Sequence, residues 1–107
     1  MKETVFIAGP MTGKSNYNFE AFDNAESYLK CLGYRVVNPA NMGRTALEKH
    51  GEVPYGSPAY KELLAATMKA VTQSDCIYML KGWENSRGAK QELSTAIDLD
   101  KTVMLEV

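Results

Sequence analysis

Two spacings of apolar residues alternate along this chain, period two in short runs and period three to four in longer ones. Thr4 to Ala8 is a β-rich apolar run ended by Gly9-Pro10, which predicts a first strand. Met11 to Tyr17 reads as a polar loop. Asn18 stands where a helix cap belongs, and the helix runs to Leu32 with Phe22, Ala25, Leu29 and Leu32 on one face and Gly33 as its stop. Tyr34 to Val37 is a second strand, closed by Asn38-Pro39. From Ala40 to Gly56 periodicity is weak and glycines and a proline interrupt it, so a long loop with at most one helical turn is expected. Ser57-Pro58 opens the next helix, whose inward stripe is Tyr60, Leu63, Leu64, Thr67 and Val71. Cys76 to Leu80 is a third strand and Gly82 to Arg87 a turn-rich loop. Ser86 caps a helix from about Arg87 to Asp98, with Ala89, Leu93, Ala96 and Ile97 inward, and Thr102 to Glu106 is a fourth strand.

Strands alternating with helices imply crossover connections, a short parallel sheet and helices on both faces. In such α/β sheets ligands bind beyond the carboxyl ends of the strands. Three segments lie there: Gly9 to Tyr17, Asn38 onward, and Gly82 to Gly88. A length of 107 residues fits one domain, 1–107, that gains from a partner subunit because so small a chain buries little surface. The net charge of −1 lacks the basic face of a nucleic-acid binder. No apolar run is long enough to span a bilayer and the start MKETVFIAGP has no signal-peptide core, so a cytoplasmic protein without membrane contact is expected. Cys31 and Cys76 lack metal-like spacing and read as buried thiols; no metal site is expected.

The candidate chemistry falls in those three segments. Gly9-Pro10-Met11-Thr12-Gly13-Lys14-Ser15 nearly spells a P-loop, but that pattern needs glycine where the chain has Ala8, and the helix opens too late for Lys14 and Ser15 to sit in its first turn. Two readings remain: a plain glycine-rich turn, or a loop whose backbone N–H groups and Thr12 touch a ligand's sugar or phosphate. Ser86-Arg87-Gly88-Ala89 opens a helix at the carboxyl edge, where the helix dipole favours an anion and Gly88 permits close approach. The plain alternative is that Ser86 is a cap worth roughly 1 kcal/mol. Glu92, one turn after Gly88, lies at the edge of the apolar stripe beside Ala89 and Ala96. It is either a solvated helix glutamate or a partly buried carboxylate able to attack or stabilise a sugar carbon. Trp83 either stacks on a base at a pocket rim or covers the sheet end. Asp75, at the amino end of its strand, reads as structural, and His50 as solvated.

Taken together, Ile7-Ala8-Gly9-Pro10-Met11-Thr12-Gly13, then Val36-Val37-Asn38-Pro39, then Asp75 followed by Gly82-Trp83-x-x-Ser86-x-Gly88-Ala89-x-x-Glu92 resemble the small, often phage-borne proteins related to nucleoside 2-deoxyribosyltransferases. That superfamily also holds 2′-deoxynucleoside 5′-phosphate N-hydrolases. The resemblance spans the whole chain. It implies a flavodoxin-like three-layer α/β sandwich, and cleavage or transfer at an N-glycosidic bond without metal or organic cofactor. It places Glu92 where the family's nucleophilic glutamate stands. Six residues earlier the transferases carry an aspartate and the phosphate-requiring hydrolases a serine; this chain has Ser86, and a serine at a helix start welcomes a phosphate that an aspartate repels. The family's second acid, eight residues before Asp75, is replaced by Thr67, which cannot protonate a leaving base at neutral pH. Asn38 or a group from a second subunit is the candidate substitute.

The expectation is therefore a hydrolase or deoxyribosyltransferase-like enzyme acting on a (deoxy)nucleoside 5′-monophosphate. Glu92 would attack, and the phosphate would be held by Ser86, Gly88 and Ala89 with the loop from Gly9 through Pro10, Met11 and Thr12 to Gly13; Asn38 and Trp83 would also contact the substrate. The alternatives are a non-catalytic nucleotide-binding protein that sequesters or senses its ligand, and an oligomeric scaffold with a vestigial pocket. A homodimer or higher homo-oligomer is expected, since the family completes its pocket with a neighbouring subunit.

Overall fold

The computed structural model describes residues 2–11, 14–54 and 56–107. Strand β1 (Thr4–Ala8), helix α1 (Phe19–Cys31), strand β2 (Arg35–Val37), helices α2 (Pro39–His50) and α3 (Pro58–Gln73), strand β3 (Cys76–Met79), helix α4 (Arg87–Asp98) and strand β4 (Thr102–Leu105) follow in that order. Short 3₁₀ turns at Ser15–Asn18 and Trp83–Asn85 precede α1 and α4. The strands form one parallel sheet in the order β2-β1-β3-β4. Val5 lies between Val36 and Cys76, and Cys76 lies beside Thr102.

Helices cover both faces of the sheet, which is why β1 and β3 are continuous apolar runs rather than alternating ones. On one face Val5, Ile7, Cys76 and Tyr78 pack under Phe19, Phe22, Ala25 and Leu29 of α1 and Ala40 of α2. On the other, Phe6, Ala8, Ile77 and Met79 pack under Val71 of α3 and Ala89 and Ala96 of α4. This is the three-layer α/β sandwich expected from the alternation of elements.

The segment expected to be a loop is the main correction. Residues 39–50 form a three-turn helix, capped by Asn38 Oδ1 accepting from the Ala40 N–H at 2.9 Å and opened by Pro39 at its first position. Its inward face is built of small residues, Pro39, Ala40 and Gly43, so the apolar signal is faint. Gly43 is a contact surface and not a helix breaker: a Cβ there would lie 3.2 Å from the Phe19 ring. Helix α2 crosses the carboxyl ends of the strands, touching β1, α1 and α3.

Smaller corrections follow from position at the edges. Asn18 precedes α1 but makes no capping bond; it adopts a left-handed backbone and its Nδ2 donates to the Pro10 carbonyl at 3.0 Å. Leu32 and Ile97, placed on inward faces by periodicity, are 57% and 56% exposed, because among the described residues none covers these positions at the ends of α1 and α4. Cys31 is exposed at the end of α1, whereas Cys76 is buried beside Glu3, whose carboxylate accepts from its Sγ at 2.9 Å. Tyr34 precedes β2 without joining it. Gly33 ends α1 at a φ of +98°, as a left-handed stop requires.

Candidate functional site

A cavity of about 70 Å³ opens at the carboxyl edge of the sheet, between the end of β1, the start of α1, and helices α2, α3 and α4. Its polar side comes from Thr67 of α3 and from Ser86, Gly88 and Glu92 around the first turns of α4. Its apolar side comes from Met11, Tyr17, Phe19 and Phe22, with Pro39, Gly43 and Leu47 of α2 as a roof. Val53 and α3 residues Tyr60, Leu63 and Leu64 complete it. The sequence stripe on α3 therefore faces this space as well as the core.

Glu92 is the chemical centre of the cavity. It is 7% exposed, and burial pushes its carboxyl up to about 8, a shift opposed by a hydrogen bond with Thr67. Thr67 Oγ1 also lies 3.0 Å from the Leu64 carbonyl. A hydroxyl has one proton to give, so the pair has two settings. With Glu92 ionised, Thr67 donates to the carboxylate; with Glu92 protonated, Thr67 can donate to Leu64 and accept from the acid. Thr67 on balance favours the ionised form and holds back part of the rise that burial causes.

Ser86 fixes the start of α4, its Oγ accepting from the Ala89 N–H at 3.2 Å. That bond uses an acceptor lone pair and leaves the hydroxyl proton available for an anionic oxygen in the cavity. The next residue but one, Gly88, keeps this end open: a Cβ there would lie 3.1 Å from Tyr60 Oη.

The structure brings Gly9, Met11, Ser86, Gly88, Ala89 and Glu92 together on one cavity. Thr12 and Gly13 lie outside the described residues. Pro10 is buried beside Gly82, where a glycine Cβ would lie 3.5 Å from its ring, and it does not line the space. Gly9 has a second duty: a Cβ there would come within 2.7 Å of Leu80 Cβ, so the close passage of the chain at the end of β1 itself demands glycine. Asn38 is occupied elsewhere, since beyond its cap its Nδ2 donates to Asp23 Oδ1 at 3.0 Å and Glu26 Oε1 at 2.9 Å. The hydrogen bond of Lys30 first, and that of Asn38 second, hold the Glu26 carboxyl below its ordinary value. Trp83 packs against the core on the α3 and α4 face and does not reach the cavity. Lys14 is exposed, five residues before α1 begins, so the near match to a P-loop has no P-loop geometry. Asp75 Oδ2 accepts from the Thr4 N–H at 2.8 Å at the amino end of the sheet. His50 ends α2, 3.7 Å from Glu62.

Sequence reasoning missed the roof. Tyr17, Phe19, Leu47 and Val53 carry no motif, and the roof helix was itself unseen. The readable signals were Asn38-Pro39 as a helix start and Lys49-His50-Gly51 as a helix end.

Among the described residues no cluster of three or more His, Cys, Asp or Glu could hold a metal ion, and no helix is long and apolar enough to cross a membrane. By sequence, no curated protein matches the chain. By structure, it is similar to a 2-deoxyribosyltransferase from the psychrotolerant bacterium Bacillus psychrosaccharolyticus, with a TM-score of 0.66 and 21% identity over 95% of this chain and 70% of that one. At that identity the likeness shows the fold, which is shared. Residues 3–105 match the family described as a domain of unknown function, DUF4406, and the chain belongs to that family.

Proposed function

We propose that the protein cleaves or transfers the N-glycosidic bond of a (deoxy)nucleoside 5′-monophosphate, with Glu92 as nucleophile. The observation that carries this reading is a buried carboxylate in a cavity at the carboxyl edge of a parallel sheet, six residues after the Ser86 cap of α4. Ionised Glu92 attacks the anomeric carbon as the base departs, and water or an acceptor base then resolves the glycosyl-enzyme. Ser86 and the backbone at Gly88 and Ala89 take the phosphate, and Gly9 and Met11 border the sugar. The fold shared with a deoxyribosyltransferase supports the reading. The cavity is smaller than the roughly 300–1,000 Å³ of a pocket that encloses a drug-sized ligand. Substrate entry in this reading lifts α2 or shifts its half-buried lining side chain, Leu47.

A second reading, a nucleotide binder without turnover, is favoured by one feature: the residue touching Glu92 is Thr67, a hydroxyl, where paired-acid glycosidases place a second acid. A screen of nucleosides and nucleoside monophosphates separates the two, with free base followed by chromatography beside thermal-shift binding. Base release from a monophosphate supports the enzyme; stabilisation by a monophosphate with no release from any compound supports the binder.

A further inference from the structure

We propose that Tyr60 is the proton donor to the leaving base, supplying the acid that Thr67 cannot. The assignment rests on the glycosidic reading of the cavity. Tyr60, Leu64 and Thr67 share one face of α3, and Gly88 and Glu92, four residues apart, share one face of α4. The two helices therefore meet at two polar points on the cavity wall. At one, Thr67 hydrogen-bonds Glu92. At the other, Tyr60 Oη stands 3.1 Å from where a Cβ on Gly88 would be. Side-chain positions four residues apart on a helix are about 5–6 Å apart, so the phenol lies within about 9 Å of Glu92 Cβ.

That upper bound accommodates the chemistry. An attacking oxygen stands about 3–3.5 Å from the anomeric carbon, and the bond to the base nitrogen and a hydrogen bond to the donor extend the line to roughly 7–8 Å. Paired acids in glycosidases span about 5–9.5 Å. Among the described lining residues other than Glu92, only Tyr17 and Tyr60 carry a phenol, a hydroxyl acidic enough to give its proton to a departing base anion. Tyr17 stacks on Phe19, ring centroids 5.8 Å apart, on the α1 side. Tyr60 is on the α4 side, and its helix start is fixed by Ser57 Oγ accepting from its own N–H at 3.1 Å.

The step balances. A Glu92 oxygen bonds to the anomeric carbon, the carbon–nitrogen bond breaks with its electron pair on the base, and the Tyr60 proton moves to that nitrogen. Water then attacks the same carbon, the pair of the breaking ester bond returns to Glu92, and a water proton restores the phenol. Gly88 leaves room for the phenol: a Cβ there would stand 3.1 Å from Tyr60 Oη, and the phenol would have to yield by a few tenths of an ångström.

The test compares Tyr60→Phe with wild type on an ordinary purine deoxynucleoside monophosphate and on its 7-methylguanine counterpart, whose base departs neutral without a proton. Turnover of the ordinary substrate is expected to fall by about 10²–10⁴-fold with KM nearly unchanged, and turnover of the methylated one to change by less than about threefold. Tyr60→Leu repeats the comparison, with circular dichroism to check that each variant is folded, so that a misfolded phenylalanine variant does not decide the matter. Equal losses on both substrates in both variants, or no loss on either, overturn the assignment while leaving the glycosidic reading intact. Wild-type protein inert on both substrates overturns the reading and the assignment together.

Discussion

Replacing Glu92 with glutamine is expected to stabilise the protein at alkaline pH and not at acid pH. The carboxyl stands at about 8 in the folded chain against an ordinary 4.5, because burial strips water from its charged form. The sign follows from proton binding. Between those two values the folded chain holds a proton that the unfolded chain releases, so the contribution of Glu92 to stability is full below about 4.5 and is lost as pH rises towards 8. At about 1.4 kcal/mol per pH unit the loss approaches 5 kcal/mol above pH 8, of the order of a whole small domain's stability. Glutamine keeps the shape and the bond to Thr67 without the charge, and its buried NH₂ group costs back about 1–3 kcal/mol. The net gain at pH 9 is then about 2–4 kcal/mol, or a Tm rise of roughly 10 °C or more. At pH 5 the same substitution is expected to be neutral or destabilising by up to about 2 kcal/mol, because the cost of the buried amide is then offset by less than about 1 kcal/mol of linkage. Denaturant melts of both proteins at pH 5, 7 and 9 give the comparison, and subtracting them cancels every other titrating group. A stability difference that does not change between pH 5 and pH 9 would refute the reasoning, since it would mean that Glu92 is solvated enough to ionise freely in the folded chain.

Three further outcomes follow from the same site. If ionised Glu92 attacks, kcat/KM for base release rises with pH and levels off above about 8, where the free enzyme's carboxyl is charged; a rate that falls across that range contradicts a carboxylate nucleophile. Ser86→Asp retains a good helix cap but sets a negative charge at the start of α4, so a monophosphate should bind at least about tenfold more weakly while the matching nucleoside changes by less than about twofold; equal losses place the phosphate elsewhere. Ile97 in the last turn of α4, Leu99 just after it, and Val103 and Leu105 of the edge strand β4 are exposed apolar residues, and sedimentation at micromolar concentration is expected to show a homodimer or larger species, a lone monomer counting against it.

The strands and most helix ends were legible because the signals there are local. Gly9-Pro10, Gly33, Ser57-Pro58 and Ser86 each end or open an element by backbone chemistry that neighbours do not alter. Helix α2 was not legible because its packing face is made of residues chosen for smallness. Gly43 looks like a breaker in one dimension and is a seat for the Phe19 ring in three. The site divides the same way. Ser86, Gly88 and Glu92 share a helix with known periodicity, so their meeting could be read from spacing. Asn38 and Trp83 stand at the right ends of strands, yet the carboxylates of α1 take one and the core takes the other. Periodicity also cannot say where an inward stripe runs out of protein to cover it, as Leu32 and Ile97 show. Tyr60 was seen as core; only the position of Gly88 across the helix seam reveals its hydroxyl as part of a cavity.

The central claim is that Glu92 performs chemistry in this cavity, and base release by wild type and Glu92→Gln measures it most directly. Both proteins are incubated with purine and pyrimidine deoxynucleoside monophosphates at pH 8.5, free base is separated by chromatography, and binding of the same compounds is followed by thermal shift. The account predicts base release by wild type, a fall of at least about 10³-fold in the variant, and nearly unchanged binding. Full activity in Glu92→Gln, or a wild type that binds a monophosphate and releases no base at all, would contradict it.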